Sequence, residues 1–394
     1  MKVAFASPIF LERDGVGSYS RELSREIAAH CPMEHIPLDS EPHGKAHYRR
    51  LAGAINDCDV LHVEHAHAFF KRPLYPFREA FLFLLRQVRI PRCVVYHEPL
   101  ERISTIYPPG GGSFLERAKN AALFAAVATA RPAANRFWLP RYNREIYSLP
   151  ERVVVHTEYR AERVRSFSPD ANVHVIPHPV YLPKGGGAGE EPGYRPPFPE
   201  GSIVLTIFGF IDRRKDYIGV LSALLRMPER YSLLVAGGTH GEDESASSPS
   251  PYGEMTAFIR ANRMEERVRI TGYCPDSLIP GIMGATDIVI APFTQDHSSG
   301  SINMGIAYSL PVVAYRTKLT EEMNRNGAGL LLVEGRKDLS EMLRRLETDA
   351  PLRDTAIRRG REYKDRYDFP AAARRFVRWY EEMLSDAQGA EGAR

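Results

Sequence analysis

Cysteine and tryptophan are scarce, with four Cys and two Trp in 394 residues. Cys31, Cys58, Cys93 and Cys274 are spread along the chain without a C-x-x-C pair, and three of them adjoin apolar, strand-like runs. That excludes a disulfide framework or zinc ribbon and predicts buried free thiols in a reducing compartment. Charge of one sign is lacking too. Lys plus Arg number 52 against 49 Asp plus Glu, so no nucleic acid or other polyelectrolyte partner is demanded. Long apolar runs are missing: the stretch from Met1 to Phe5 breaks at Pro8, short of a signal peptide, and no later segment approaches a spanning helix. A cytoplasmic protein is the expectation, with peripheral association at a membrane left open. No G-x-G-x-x-G follows a strand and no G-x-x-x-x-G-K-[ST] occurs, which sets nicotinamide, flavin and P-loop chemistry well down.

What is present is length and alternation. A chain of 394 residues predicts two domains, with cores large enough to need no staples. In the first half, Lys2 to Ser7 reads as a buried strand, Asp14-Gly15-Val16-Gly17 as a turn, and Ser18 to Ala29 as a helix with Leu23 and Ile27 on one face. Further strands are read at Asp59 to His65, Arg92 to His97, Glu151 to Thr157 and Val173 to Pro177. The stretch Pro179 to Glu200, rich in Gly and Pro, reads as a linker, after which the pattern restarts. Strands are expected at Ile203 to Phe208, Ser232 to Ala236, Val268 to Thr271, Asp287 to Ala291 and Pro311 to Ala314. This is an α/β chain of two doubly wound, Rossmann-like domains. The divisions are 1–182, a linker at 183–200, and 201–370, with a closing helix at about 371–387 packing back on the first domain. Thr239 to Pro251 reads as a mobile loop and Gln388 to Arg394 as a frayed tail.

Two such domains predict a ligand cleft between the carboxyl edges of two parallel sheets. Gly15, Val16 and Gly17 open a helix after a strand, where glycine lets backbone amides approach an anion; a purely steric use of glycine is the alternative. The loop from Gly209 to Lys215 gathers Arg213, Arg214 and Lys215, which suits a diphosphate, against a solvated charged loop. Asp296-His297-Ser298-Ser299-Gly300-Ser301 reads as a second anion nest at a helix start. Two anion sites facing one cleft fit a sugar nucleotide better than a single phosphate.

These motifs in this order resemble the retaining GT-B glycosyltransferases of family 4, also called group 1. The resemblance rests on strand, Gly-Val-Gly and helix at the N-terminus, Val-Tyr-His at 95–97, Val-Val-Val-His-Thr-Glu at 153–158 and Val-Ile-Pro-His-Pro-Val at 175–180. It continues through Gly-x5-Lys at 209–215, Ala-Tyr-Ser-Leu-Pro-Val-Val-Ala at 307–314 and Tyr367-Asp368-Phe369-Pro370, and so covers nearly the whole chain. It implies the GT-B fold and transfer of a sugar from a nucleoside-diphosphate sugar to an acceptor hydroxyl, with retention of configuration and without a metal or other cofactor. Gly15 and Gly17 match the loop that faces the donor phosphates, and His97 the histidine that reaches the transferred sugar or its phosphate. Lys215 matches the lysine that stabilises the leaving diphosphate. The arginine that usually follows the glycine is Phe210 here, so Arg213, with Arg214 as the alternative, is the candidate for that charge.

The family's two glutamates, with seven residues between them, fall on Asp296 and Met304. Asp296 still accepts from sugar hydroxyls, whereas Met304 holds no ribose diol, so either another residue, with Asn303 the candidate, holds the ribose or the nucleotide binds differently. Glu322 matches a glutamate further along, against an exposed helix charge. Asp57-Cys58-Asp59 spells a metal-binding Asp-x-Asp but precedes its strand, so it reads as turn chemistry. Glu64, His65 and His67 have no evident third metal ligand and are assigned to the acceptor side of the cleft. The acceptor stays open between a small molecule, a glycan and a lipid-linked saccharide. Phe77, Phe81, Phe83, Leu84 and Leu85 among the arginines of Lys71 to Arg92, with Trp138 and Tyr142 further on, suit either an anionic bilayer or a core-facing helix. The alternatives to a transferase are a GT-B epimerase or phosphorylase and a non-catalytic nucleotide-sugar-binding protein.

Overall fold

The computed structural model describes residues 1–8, 15–39, 43–70, 80–98, 125, 129–181, 198–239, 250–296 and 300–392. Its strands are β1 (Val3–Ser7), β2 (Met33–Pro37), β3 (Val60–His65), β4 (Arg92–Tyr96), β5 (Arg152–Val155), β6 (Val173–Val175), β7 (Ile203–Phe208), β8 (Tyr231–Ala236), β9 (Val268–Ile270), β10 (Ile288–Ala291), β11 (Val312–Tyr315) and β12 (Leu331–Val333). The helices used below are α1 (Gly15–Ala28), α2 (Lys45–Asn56), α3 (Phe81–Leu85), α4 (Leu139–Ser148), α5 (Glu158–Phe167), α6 (Tyr217–Leu224), α7 (Pro251–Ala261), α8 (Ile279–Gly284), α9 (Gly300–Ala307), α10 (Lys318–Arg325), α11 (Arg336–Thr348), α12 (Ala350–Arg366) and α13 (Phe369–Gly392). The chain divides into two units, Met1–Pro177 with Phe369–Arg394, and His178–Asp368.

The first unit is built on a six-stranded sheet of order β2-β1-β3-β4-β5-β6, with every pairing parallel. A parallel sheet is covered on both faces, which is why β1 and β3 are buried along their whole length and read as continuous apolar runs. On α1, Leu23 and Ile27 are fully buried, contributing about 1.5–3 kcal/mol each. The glycines expected in the preceding turn lie inside this helix, which begins at Gly15. Ser20 Oγ donates to the Val16 carbonyl within it, at 2.7 Å. From the C-terminal end α13 returns to the unit and runs on through Gly392, past the start of the expected frayed tail. Phe81, Leu84 and Leu85 are buried in the same core, so these side chains do not form a lipid-facing surface.

The second unit repeats the plan with the order β12-β11-β10-β7-β8-β9, again parallel throughout. Helix starts are marked chemically: Asp216 caps α6 through the Gly219 amide at 2.8 Å, and Thr317 and Thr320 form a reciprocal capping box on α10. Ser250 and Pro251, read in the sequence as the end of a loop, instead cap and open α7. The rest of that loop, 240–249, and most of the expected linker lie outside the described residues. Cys31, Cys58 and Cys93 are buried and Cys274 half-buried, and all four are free.

Candidate functional site

Each sheet has one point where the strand order reverses, and the crevice outside the carboxyl ends there is where such folds take ligands. In the second unit that point lies between β7 and β10, and in the first between β1 and β3.

At the end of β7, Gly209 takes φ +91°, a conformation that only glycine adopts without strain. The chain then loops back, and Lys215 is left 6% exposed with its ammonium 2.9 Å from the carbonyl oxygens of both Phe208 and Phe210. Burial lowers its pKa to about 8, with Asp212 opposing that shift and Arg214 adding to it. A Cβ at Gly209 would meet Lys215 Nζ at 3.5 Å and Ser301 Cβ at 4.0 Å, so the glycine turn, the buried ammonium and the first turn of α9 converge. The β8 loop packs on the same place, since a Cβ at Gly237 would fall 2.2 Å from the Gly209 carbonyl. The sequence showed Gly237 only as one of two glycines after a strand. The loop is further fixed by Asp216 N–H donating to Pro292 O and Thr294 N–H to Arg214 O, at 2.9 and 2.8 Å. An ammonium beside a helix start is an arrangement that receives a phosphate.

The other two cations of the loop pair with carboxylates. Arg213 is exposed and faces Glu254 on α7 at 3.6 Å. Arg214 grips Asp212 through two bonds, Nε to Oδ1 at 3.0 Å and Nη2 to Oδ2 at 2.8 Å. Asp296 is exposed, and its Oδ1 accepts the Leu319 amide near the start of α10 at 3.0 Å. Ser298 and Ser299 lie outside the described residues, and Gly300 opens α9. Asn303 is buried, and its amide nitrogen donates to the carbonyls of His178 at 2.9 Å and Pro179 at 3.3 Å, while its Oδ1 has no hydrogen-bond partner among the described residues. Met304 belongs to the buried core. Glu322 is buried as well, which removes its reading as an exposed helix charge.

In the first unit the carboxyl end of the sheet carries a buried polar chain that starts from Glu64. His62 and Glu64 alternate with β3's pleat onto one face. His62 Nε2 donates to Glu64 Oε1 at 2.7 Å, and His97 Nε2, just beyond β4, donates to Glu64 Oε2 at 2.6 Å. Burial works to raise the Glu64 pKa, but the hydrogen bonds from His62 and His97 outweigh it and hold the carboxyl below its ordinary range. Tyr380 of α13 donates to His62 Nδ1 at 2.6 Å; burial pushes its own pKa well up and keeps it a phenol. On the far side, His156 Nε2 lies 3.4 Å from His97 Nδ1, and its own Nδ1 donates to the Ile176 carbonyl at 3.0 Å. Arg160 donates to the His97 carbonyl.

This changes the reading of the residues assigned to the acceptor side. Glu64 is fully buried and holds two histidines. His65 is also fully buried, against Phe70, Phe81 and Tyr96, and burial together with the nearby His97 lowers its pKa to about 3, so it is a neutral core ring. The half-buried His67 meets it edge-on at 4.6 Å. Among the described residues no group of three or more His, Cys, Asp or Glu is placed to hold a metal ion, and no helix is long and apolar enough to cross a membrane. Sequence reasoning missed Tyr380 and His156 as partners of this chain. His156 carried the signal of a strand-end histidine, whereas Tyr380 carried none.

Residues 195–363 match the family described as Glycosyl transferases group 1. A 2-deoxystreptamine glucosyltransferase of Streptomyces kanamyceticus is 24% identical over 191 residues, 47% of this chain and 47% of its own length. The chain thus spans about half the length of that curated relative. Three solved structures are similar in fold. Sucrose-phosphate synthase from Thermosynechococcus elongatus has a TM-score of 0.66 at 15% identity, covering 98% of this chain and 100% of its own. HepE of Anabaena in complex with UDP-glucose has 0.64 at 15%, covering 98% and 100%. A glycosyltransferase from Rickettsia africae ESF-5 has 0.68 at 14%, covering 97% and 98%. Two units, each on a parallel six-stranded sheet, make the chain a protein of the GT-B fold, and residues 195–363, within the second unit, are similar to the group 1 glycosyl transferases.

Proposed function

We propose that the protein is a retaining, metal-independent glycosyltransferase of family 4 that moves a sugar from a nucleoside-diphosphate sugar to an acceptor hydroxyl. The observation that carries this reading is the convergence of Gly209, Lys215 and Ser301 at the reversal point of the second sheet, inside the segment that matches the family. Lys215 and the backbone amides at the start of α9 stabilise the departing diphosphate, the largest expected contribution to the rate. Gly15, Val16 and Gly17, in the first turn of α1, face the donor phosphates. His97 meets the transferred sugar or its phosphate. Asp296 and Glu322 bind donor hydroxyls, and Asn303 Oδ1 accepts from the ribose in place of the missing carboxylate. The bond from the anomeric carbon to the diphosphate breaks as the acceptor oxygen bonds on the same face, and a phosphate oxygen takes the acceptor proton.

The acceptor is a small molecule, a glycan or a lipid-linked saccharide. The relative named a 2-deoxystreptamine glucosyltransferase favours a small-molecule acceptor, and HepE, similar in fold and solved with UDP-glucose, favours a UDP-hexose as the first donor to try. Contact with an anionic bilayer is favoured by Phe137, 60% exposed among the exposed Arg131, Arg136, Arg141 and Arg144. Donor turnover tests the reading. Release of nucleoside diphosphate from UDP-hexoses and their GDP, ADP and dTDP counterparts, in EDTA, is expected with one nucleotide class. Binding of a nucleotide sugar with no release, whatever acceptor is added, would instead mark a non-catalytic binding protein, and sugar inversion without an acceptor an epimerase.

A further inference from the structure

The hydrogen bonds around His97 fix a proton count. Glu64 accepts from His62 and His97, one on each carboxylate oxygen, so both rings carry their proton on Nε2. His62 is completed by the Tyr380 hydroxyl on Nδ1 and is a neutral ring. His156 has its Nδ1 against the Ile176 carbonyl, which accepts only, so that nitrogen carries a proton and its Nε2 holds a lone pair. The Nε2 lone pair lies 3.4 Å from His97 Nδ1. Two neutral rings would present two lone pairs to each other there. A hydrogen bond at this contact needs one additional proton.

We infer that His97 and His156 together hold one proton more than two neutral imidazoles, with the buried Glu64 carboxylate as its counterion, and that Glu64 is thereby the positioning residue that keeps a cation at the carboxyl end of β4. Tyr19 of α1 stands edge-on to His97 at 4.9 Å and tilted to His156 at 5.5 Å, and Phe369 of α13 packs on Tyr19. Arg160 of α5 reaches the His97 carbonyl and opposes a cation, His65 of β3 is neutral, and among the described residues Glu64 is the carboxylate hydrogen-bonded to His97. An ion pair enclosed in a low-dielectric interior persists only if its remaining polar atoms are satisfied, and the chain from Tyr380 to Ile176 does this. Resting on the glycosyltransferase reading, the inference gives His97 its chemistry toward the donor: a pre-oriented imidazolium for a phosphate oxygen or the oxygen of a polarised sugar, not a general base.

The test reads protons directly. Nitrogen-detected spectra of histidine-labelled protein at neutral pH, with His97 and His156 assigned by the loss of signals in His97→Gln and His156→Gln, should show a proton on both nitrogens of one ring or exchange between the two. In Glu64→Gln, an isosteric change, that signature should vanish at the same pH, and Glu64→Asp should restore it in part. Two neutral rings in the unmodified protein would overturn the inference without any variant needing to fold. So would an imidazolium unchanged in a folded Glu64→Gln. Neither readout depends on turnover, so failure here is separable from failure of the transferase reading. Where turnover is found, Glu64→Gln should lower kcat about tenfold or more with donor KM little changed.

Discussion

Gly209 and Lys215 are fitted to each other: the glycine holds φ +91°, and the space a Cβ would take lies 3.5 Å from the lysine ammonium. Gly209→Ala is therefore expected to cost about 1–2 kcal/mol of backbone strain and to set a methyl in van der Waals contact with the ammonium. Urea unfolding should show the loss of stability, and calorimetry a weaker nucleoside diphosphate. A variant as stable and as tight as the unmodified protein would contradict the fit.

Lys215 also sets a pH dependence. Its pKa is about 8 in the folded chain against the ordinary 10.5, so between those values the unfolded chain binds more protons. Stability should then rise with pH across that window, by about 3 kcal/mol in all, because the cost of burying the ammonium is present below pH 8 and is relieved as the proton leaves. Diphosphate affinity should fall over the same range as the cation disappears. Lys215→Met should abolish both trends, which unfolding curves and titrations from pH 7 to 10 would reveal.

Asn303 supplies the hydrogen bonds that the His178 and Pro179 carbonyls receive at the start of the second unit. Its replacement by Ala is expected to destabilise that unit by about 1–3 kcal/mol, since buried acceptors lose their donor. Chemical denaturation is the measurement, and an unchanged midpoint would show that these bonds contribute nothing net.

Tyr380→Phe removes the hydroxyl from His62 Nδ1 and leaves a buried lone pair without a donor. A loss of about 1–2 kcal/mol is expected, together with a shifted His62 Nδ1 signal in the histidine spectra. No change in either would detach α13 from the polar chain.

Legibility in the sequence followed burial. The strands β1, β3, β4, β7, β8, β10 and β11 lie between layers and read as apolar runs. The edge strand β2, Met33–Pro37, keeps only Ile36 buried and spells no apolar run, so it did not stand out. Gly209, Lys215 and Ser301 were visible because a loop between a strand and a helix confines such residues to one edge. The direction of a long side chain is not written in spacing. Arg213 pairs with Glu254 and Arg214 with Asp212, while the Lys215 ammonium lies on the carbonyls beside Gly209, so three cations adjacent in sequence have three different partners. Glu64 looked like a strand-end group open to a ligand, yet its partners lie 2 and 33 residues away, and the hydroxyl that completes His62 is 318 residues along the chain. Such a chain is set by tertiary packing and leaves no local mark.

The central claim is a nucleotide-sugar site built on Lys215. A thermal-shift screen against UDP, GDP, ADP, CMP and dTDP, each with and without its sugar and in EDTA, tests it most directly. A rise of several degrees with one nucleoside diphosphate, indifferent to EDTA and lost in Lys215→Ala, is the expected result. No shift with any nucleotide, or a shift that survives Lys215→Ala unchanged, would contradict it.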